Sequence, residues 1–392
     1  MSVAVAGAGI GGLTAALALA QRGFGVAIHE RAVRLEEAGA GIQLSPNALN
    51  VLFDLGLGPA LENTMVGLEA VLIRQGTTGR LIQRLPLDRC KQHWGAPYGV
   101  IHRADLQAVL LDAVQNTPSI TLYCGHEISA ARQDETGVSI RFASGQAETC
   151  VDMLIGADGL WSAIREALGL TAPPRFAGKR AWRAVIPMRE APPAFQDKAT
   201  GLWLGEDAHL VHYPVRGGHQ LNLVAIARDR DAAAGWSTTK SLAMLLPHFA
   251  GWNQRVHALL GAIPEWRTWP LFDRPADPAM AGGRIALLGD ASHPMLPFVA
   301  QGGAAAIEDA AELAAVLAAP GSSTVPERLQ IWSSKRLPRV SRLQAEASAN
   351  GERYHWRWPL SVARDLGLKA VGGHRMLTRY DWIYGWKPGG ID

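Results

Sequence analysis

The chain opens on a short apolar, partly β-branched run, Val3 to Ala6, followed by the pattern Gly7-x-Gly9-x-x-Gly12. An alanine- and leucine-rich stretch then extends to about Gln21, Gly23 closes it, and Val26 to His29 forms a second apolar run ended by Glu30. This order predicts a strand, a helix and a parallel strand, a βαβ unit. Two later apolar runs read as further strands of the same sheet, buried on both faces: Val151 to Ile155 before Gly156-Ala157-Asp158-Gly159, and Arg284 to Leu288 before Gly289-Asp290. From about Phe176 to Trp269 the character changes. His209 to Val215 and Gln220 to Ala227 are alternating or β-rich, and Arg216-Gly217-Gly218-His219 between them is a hairpin signal. From Gly303 the chain is mainly helical, and it ends in a segment holding Trp356, Trp358, Trp382 and Trp386, expected to be core or subunit contacts.

The pattern therefore predicts an α/β fold with a Rossmann-like nucleotide domain in three pieces, 1–72, 101–175 and 278–345. An antiparallel-sheet domain is inserted as 73–100 and 176–277, Pro278 to Gly283 is the return linker, and 346–392 is a helical C-terminal segment.

Composition narrows the function. A chain of 392 residues with 48% hydrophobic and 19% charged residues and a net charge of +3 is an ordinary globular protein without the basic surface of a nucleic-acid partner. The nearest basic run, Lys335, Arg336, Arg339, Arg342, Arg353 and Arg357, reads as the solvated face of a C-terminal helix. Cys90, Cys124 and Cys150 lie far apart with no C-x-x-C pair, which argues against a metal site or a disulfide scaffold and for a reducing, cytoplasmic compartment. Met1 to Ala20 is uncharged, but without a basic leading region and with four glycines it reads as neither signal peptide nor membrane insertion.

In the first loop, Gly7 permits a tight turn, Gly9 lets backbone approach a pyrophosphate and Gly12 lets helix and strand pack. The phosphates would sit at the helix N-terminus, where free N–H groups and the helix dipole favour anions. Glu30, eighteen residues beyond Gly12, suits the ribose hydroxyls of a dinucleotide. By itself this signature serves NAD and FAD equally.

Three motifs in order make the reading specific: the glycine loop, Asp152-Met-Leu-Ile-Gly-Ala-Asp158-Gly159-Leu-Trp-Ser162-Ala-Ile-Arg165, and Gly289-Asp290-Ala-Ser-His293-Pro294-Met295-Leu-Pro297. With Ile101-His-Arg103-Ala-Asp105-Leu and Gln301-Gly302-Gly303, they make the chain resemble the single-component FAD-dependent aromatic hydroxylases, the group of the salicylate, 3-hydroxybenzoate, 4-hydroxybenzoate and 6-hydroxynicotinate hydroxylases. The resemblance implies tightly bound FAD, transient NADH or NADPH, and hydroxylation of a small aromatic by O2 through a flavin C4a-hydroperoxide, in a monomer or homodimer. It implies cofactor contacts from Gly7, Gly9, Gly12, Glu30, Arg31, Arg103, Asp158, Gly159, Gly289, Asp290, Pro297, Gly302, Gly303 and Ala304.

On the strand His209-Leu210-Val211-His212-Tyr213, alternation puts His209, Val211 and Tyr213 on one face and His212 on the other. The resemblance makes His209 the substrate base, Tyr213 an orienting group and Gln301 a partner of the ring hydroxyl or carboxylate. Gln43, Met295 and Pro297 would line the substrate. Gln43 stands where some relatives carry histidine, and an amide is no base at neutral pH. Alternatives are a related FAD reductase or halogenase, or a non-catalytic flavin-binding module; the run Ala181-Trp182-Arg183-Ala184 matches the halogenase tryptophan motif only in part.

Overall fold

The computed structural model describes residues 1–35, 40–230 and 238–389. Strands Ser2–Ala6 and Gly25–Glu30 pair in parallel around helix Ile10–Ala20, and Met153–Gly156 flanks the first strand on its other side. With Ile285–Leu287, Ala281–Gly282 and Ile120–Cys124 they form a six-stranded sheet, parallel except at its Ala281–Gly282 edge. Val3, Val5, Ile28, Leu154 and Ile155 are buried on both faces, as the uninterrupted apolar runs require. One face carries helices Ile10–Ala20 and Gly302–Ala318, both alanine-rich, packed side by side.

The second sheet has eight strands, in the spatial order Thr238–Ser241, Glu265–Asp273, Arg175–Pro187, Gln220–Arg228, Ala208–Val215, Ala199–Leu204, Ala70–Gln75, Leu81–Pro86. It is antiparallel except where Ala199–Leu204 meets Ala70–Gln75. The hairpin joins Val215 opposite Gln220, with Arg216 and Gly217 at positive φ. No helix among the described residues is long and apolar enough to cross a membrane.

The elements correct several boundaries. Strand Ala70–Gln75 begins before residue 73, so the inserted sheet starts earlier than expected. Residues 99–102 pair with Gly41–Leu44 and lie with the first piece. The run Val151 to Ile155 is two strands: Thr149–Val151 pairs antiparallel with Val138–Phe142, and Met153–Gly156 enters the parallel sheet. Helix Val325–Tyr354 spans thirty residues without a break at 345, started by a Thr324–Glu327 capping box. Of the basic run, Lys335, Arg342, Arg353 and Arg357 are exposed as a solvated face requires, whereas Arg336 and Arg339 are buried.

Candidate active site

Four acidic or glycine-rich turns leave the C-terminal ends of neighbouring parallel strands: Gly7–Gly12, Glu30, Asp158–Gly159 and Gly289–Asp290. That edge is where open α/β sheets bind ligands. A Cβ at Gly7 (φ +101°) would stand 2.5 Å from the Ala157 carbonyl oxygen, and one at Gly12 would stand 2.0 Å from that of Gly7. At Gly9 a Cβ would meet nothing within 4 Å. Two glycines thus close the turn, and the third leaves open space at the helix N-terminus, the shape a pyrophosphate needs.

Glu30 flanks the loop, accepting from the Ala8 N–H at 2.8 Å and the Ala32 N–H at 2.9 Å. Arg31 is exposed beside it. Asp158 accepts from the Ala163 N–H (2.8 Å) through Oδ2, while its buried Oδ1 has no partner and burial raises its pKa. Gly159 follows at positive φ. Arg103 starts helix Arg103–Gln115, its N–H donating to the Ala40 carbonyl (2.9 Å), and Asp105 pairs with Arg216 at 3.2 Å.

The turn at Gly289 (φ +58°) leaves Asp290 exposed and is held from behind at two points. Buried Arg165 donates to the Ala291 carbonyl (2.9 Å) while gripping Asp277 with two hydrogen bonds. The Gly289 N–H donates to Asp309 (3.0 Å), which also bonds His293 (2.6 Å). Open Gly9, the unpartnered Asp158 oxygen, exposed Asp290 and the half-buried helix start at Gly302 and Gly303, followed by buried Ala304, together suit the phosphates, ribityl hydroxyls and ring edge of FAD.

Gln301, expected as a substrate partner, has its side chain engaged within the protein. It is the residue preceding helix Gly302–Ala318; its side chain donates to Ser45 Oγ (3.0 Å) and accepts from Asn47 (3.0 Å), and it is buried. It belongs to a charged cluster that sequence reasoning missed. Asn47 also donates to Glu308 (2.6 Å); Arg336 reaches Asp309 and Glu308 (2.8 Å each); Arg339 doubly bonds Glu308 (2.7 Å each). Trp386 lies against Arg336 and Arg339, and Trp382 against Arg339 and Arg342, the latter at 3.7 Å. Burial opposes ionisation of both acids, but His293 and Arg336 hold Asp309 down to about 2, and Arg336 and Arg339 hold Glu308 below its ordinary value.

The second sheet supplies the other wall. Register places Tyr213 beside Asn222 and Val185, and Val211 beside Val224 and Arg183, all on one face with His209. On the opposite face, His212 accepts from the Trp203 indole (3.2 Å) and packs on Phe195; Trp182 is buried in the same cluster. Val211, Val224 and Val185 are only half-buried although their strands are central, so this face floors a cleft.

The loop with half-buried Met295 and Pro297 stands over it, with Leu296 and Phe298 anchored against Ile226 and Ala181. Helix Val325–Tyr354 clamps that loop: Gln344 donates to the Pro294 carbonyl (2.9 Å) and the Tyr354 hydroxyl to that of Phe298 (3.1 Å). Gly41 makes room for Tyr213, since a Cβ there would lie 2.4 Å from its ring. Gln43 accepts from the Tyr98 hydroxyl (2.7 Å), and Arg183 lies 5.3 Å from the Trp269 ring centre.

His209 and Tyr213, four residues apart on one strand, are separated by roughly 13 Å, enough for an aromatic ring between their side chains. His209 is buried against Phe298 and Tyr354, with Nδ1 2.8 Å from His355 Nε2. Burial, then His355 and Lys179, push its pKa well below the ordinary imidazole value, so it is neutral. Burial raises the Tyr213 pKa, so its hydroxyl keeps its proton.

Residues 1–347 match the family described as FAD binding domain. The 3-hydroxybenzoate 6-hydroxylase of Polaromonas naphthalenivorans is 34% identical over 390 residues, 99% of this chain and 97% of its own. A salicylate hydroxylase solved as a substrate complex shares 27% identity with a TM-score of 0.84, covering 99% of this chain and 96% of its own. HpxO of Klebsiella pneumoniae, solved with FAD and uric acid, shares 28% identity with a TM-score of 0.85, covering 97% and 95%.

Proposed function

From the premise that this chain belongs to the FAD binding domain family and is an FAD-dependent aromatic monooxygenase, we propose that it hydroxylates a phenolic acid or a hydroxylated heteroaromatic ring. NADH or NADPH is the electron donor and O2 the source of the new oxygen. The observation that carries the substrate class is the valine floor of Val185, Val211 and Val224, flanked by a neutral histidine, a protonated tyrosine and Arg183. A flat apolar surface suits a ring, the guanidinium suits a carboxylate, and the imidazole suits a phenolic hydroxyl. The 3-hydroxybenzoate and salicylate named for two relatives carry all three features.

Bound FAD supplies electron transfer from the nicotinamide and activation of O2. It would be held by Gly9 and the following helix start, Glu30 and Arg31, Arg103, Asp158–Gly159, Asp290 and the N-terminus at Gly302–Ala304. The residues of the chain prepare the substrate. Arg183 and Tyr213 orient it, Met295, Pro297 and Gln43 line the edge nearer the cofactor, and Leu296 and Phe298 seal the cleft against water. His209 accepts the phenolic proton, which raises electron density on the ring where oxygen is delivered. Gln301 acts indirectly, fixing the helix start through Ser45 and Asn47.

The test mixes the FAD-loaded protein with NADH or NADPH and screens hydroxybenzoates and hydroxypyridines, following cofactor oxidation, peroxide and product together. Coupled formation of a hydroxylated product from a phenolic acid or hydroxypyridine is expected. Oxidation that yields only peroxide with every compound overturns the substrate class, and halide-dependent turnover overturns the reaction.

A further inference from the structure

Burial makes His209 a poor place to leave a proton, and the structure sets against its ring a second histidine from a distant element. His355 follows the last residue of helix Val325–Tyr354 and is 6% exposed, against 2% for His209. The rings lie 5.0 Å apart, joined by the 2.8 Å contact between His209 Nδ1 and His355 Nε2.

Outside His355 the surroundings turn charged and wet. Glu352, largely exposed, pairs with Lys179 at 2.8 Å; Asp207 pairs with Arg228 at 3.0 Å and with exposed Arg357. Asp207 and Glu352 favour a proton on His355, whereas Lys179 and Arg228 oppose it, with burial the largest opposing effect. The two rings therefore lead from the cleft towards this ring of charges, and on its inner side His355 Nδ1 is buried without a hydrogen-bond partner.

We propose that His355 is a positioning and relay residue that passes the substrate proton from His209 to solvent, so that His209 and His355 work as one two-histidine proton wire. This rests on His209 being the base. Two neutral imidazoles sharing one hydrogen bond have one N–H between them. When His209 carries it on Nδ1, its Nε2 has a free lone pair and His355 carries a proton on its outer Nδ1. The phenolic proton then moves to His209 Nε2, the Nδ1 proton of His209 moves to His355 Nε2, and the proton on His355 Nδ1, a buried atom with no hydrogen-bond partner in the protein, passes to a water admitted from the charged ring outside it. Each ring ends neutral with its tautomer reversed, one proton has entered and one has left, and no buried charge persists. Reprotonation of the product oxygen drives the same chain backwards and resets both tautomers. The relay accounts for a base that burial otherwise disables.

The experiment uses the FAD-loaded protein and 3-hydroxy-4-nitrobenzoate, a phenol carboxylate whose phenolate is coloured. Phenolate formation after an upward pH jump is followed by stopped flow in the native protein, His209→Gln, His355→Gln and His355→Phe. His355→Gln preserves a polar partner for His209 and cannot relay.

Both His355 variants are expected to slow phenolate formation by about a hundredfold, the usual size of a positioned proton-transfer effect, with FAD content and probe affinity unchanged. Free imidazole should restore part of the rate to a third variant, His355→Ala. If the native protein forms no bound phenolate, or His209→Gln forms it at the native rate, the base reading falls and the relay with it. Should His209→Gln be impaired while His355→Gln deprotonates the probe at the native rate, the relay alone is overturned. Loss of FAD or probe affinity with an unchanged deprotonation rate likewise assigns His355 a purely structural role and overturns it.

Discussion

Removing the Asp309 carboxylate should detach two pieces of the cofactor site at once. This fully buried side chain accepts from the Gly289 N–H at 3.0 Å, bonds His293 at 2.6 Å and accepts from Arg336 at 2.8 Å. It is thereby the bolt between the Gly289–Asp290 turn and helix Gly302–Ala318. In Asp309→Ala, the two buried arginines face Glu308 alone, one charge too few. Breaking a buried ion pair by removing one partner costs about 3–5 kcal/mol, which in a chain of this size lowers Tm by about 5 °C.

The lost hydrogen bond to Gly289 is a charge-assisted one of about 1.5–3 kcal/mol, so the FAD dissociation constant should rise about tenfold to a hundredfold. Asp309→Asn keeps an acceptor for the Gly289 N–H and loses only the charge; its FAD affinity should fall less than that of Asp309→Ala while its Tm still drops. Calorimetry of the apoprotein and a fluorescence titration with FAD read the two effects separately. An Asp309→Ala protein with native Tm and native FAD affinity refutes the reasoning.

Other substitutions test single contacts. Gly41→Ala drives a methyl into the Tyr213 ring and should lower substrate affinity about tenfold or more with FAD content retained, measured by ligand titration; native affinity would show that Tyr213 does not border the substrate. Gly12→Ala forces the helix from the Gly7 carbonyl and should abolish stable FAD retention, checked by the absorbance of the purified protein. Arg183→Gln should raise KM for a hydroxybenzoate by about tenfold or more while changing KM for a carboxylate-free phenol little.

Acid should also destabilise the fold. Burial holds His29 and His355 at about 4 and His212 at about 3, against an ordinary 6.5. Between these values the unfolded chain binds more protons, so stability from these groups falls as pH drops from about 6.5 to about 4. Urea midpoints measured across that range should decrease steadily; a flat profile contradicts the assignment.

What could be read from the sequence was what backbone geometry dictates locally. The glycine loop, the acid-ended apolar runs and the two-residue alternation of His209, Val211 and Tyr213 each depend on neighbours only a few positions away. The clamps did not, because their partners meet only in three dimensions. Arg336 and Arg339 look like a solvated stripe until helix Gly302–Ala318 lies alongside them. One signal was present: Glu308, Asp309 and Glu312 interrupt an alanine-rich helix, and acids on a helix apolar on every side need buried cations. Gln301 was ambiguous in the sequence because an amide before a helix serves a ligand and a helix start equally well. Gln344, Tyr354 and His355 carried no local mark, since their partners, the Pro294–Phe298 loop and the His209 strand, lie fifty or more positions away.

Every role assigned above serves the insertion of an oxygen atom from O2 into an aromatic ring. The direct measurement is turnover of the FAD-loaded protein with NADH or NADPH, a hydroxybenzoate or hydroxypyridine that stimulates oxidation, and isotopically labelled O2, followed by mass spectrometry of the product. One labelled oxygen atom is expected in the ring-hydroxylated product. A product whose new oxygen comes from water, or an oxidised product with no new oxygen, would contradict it.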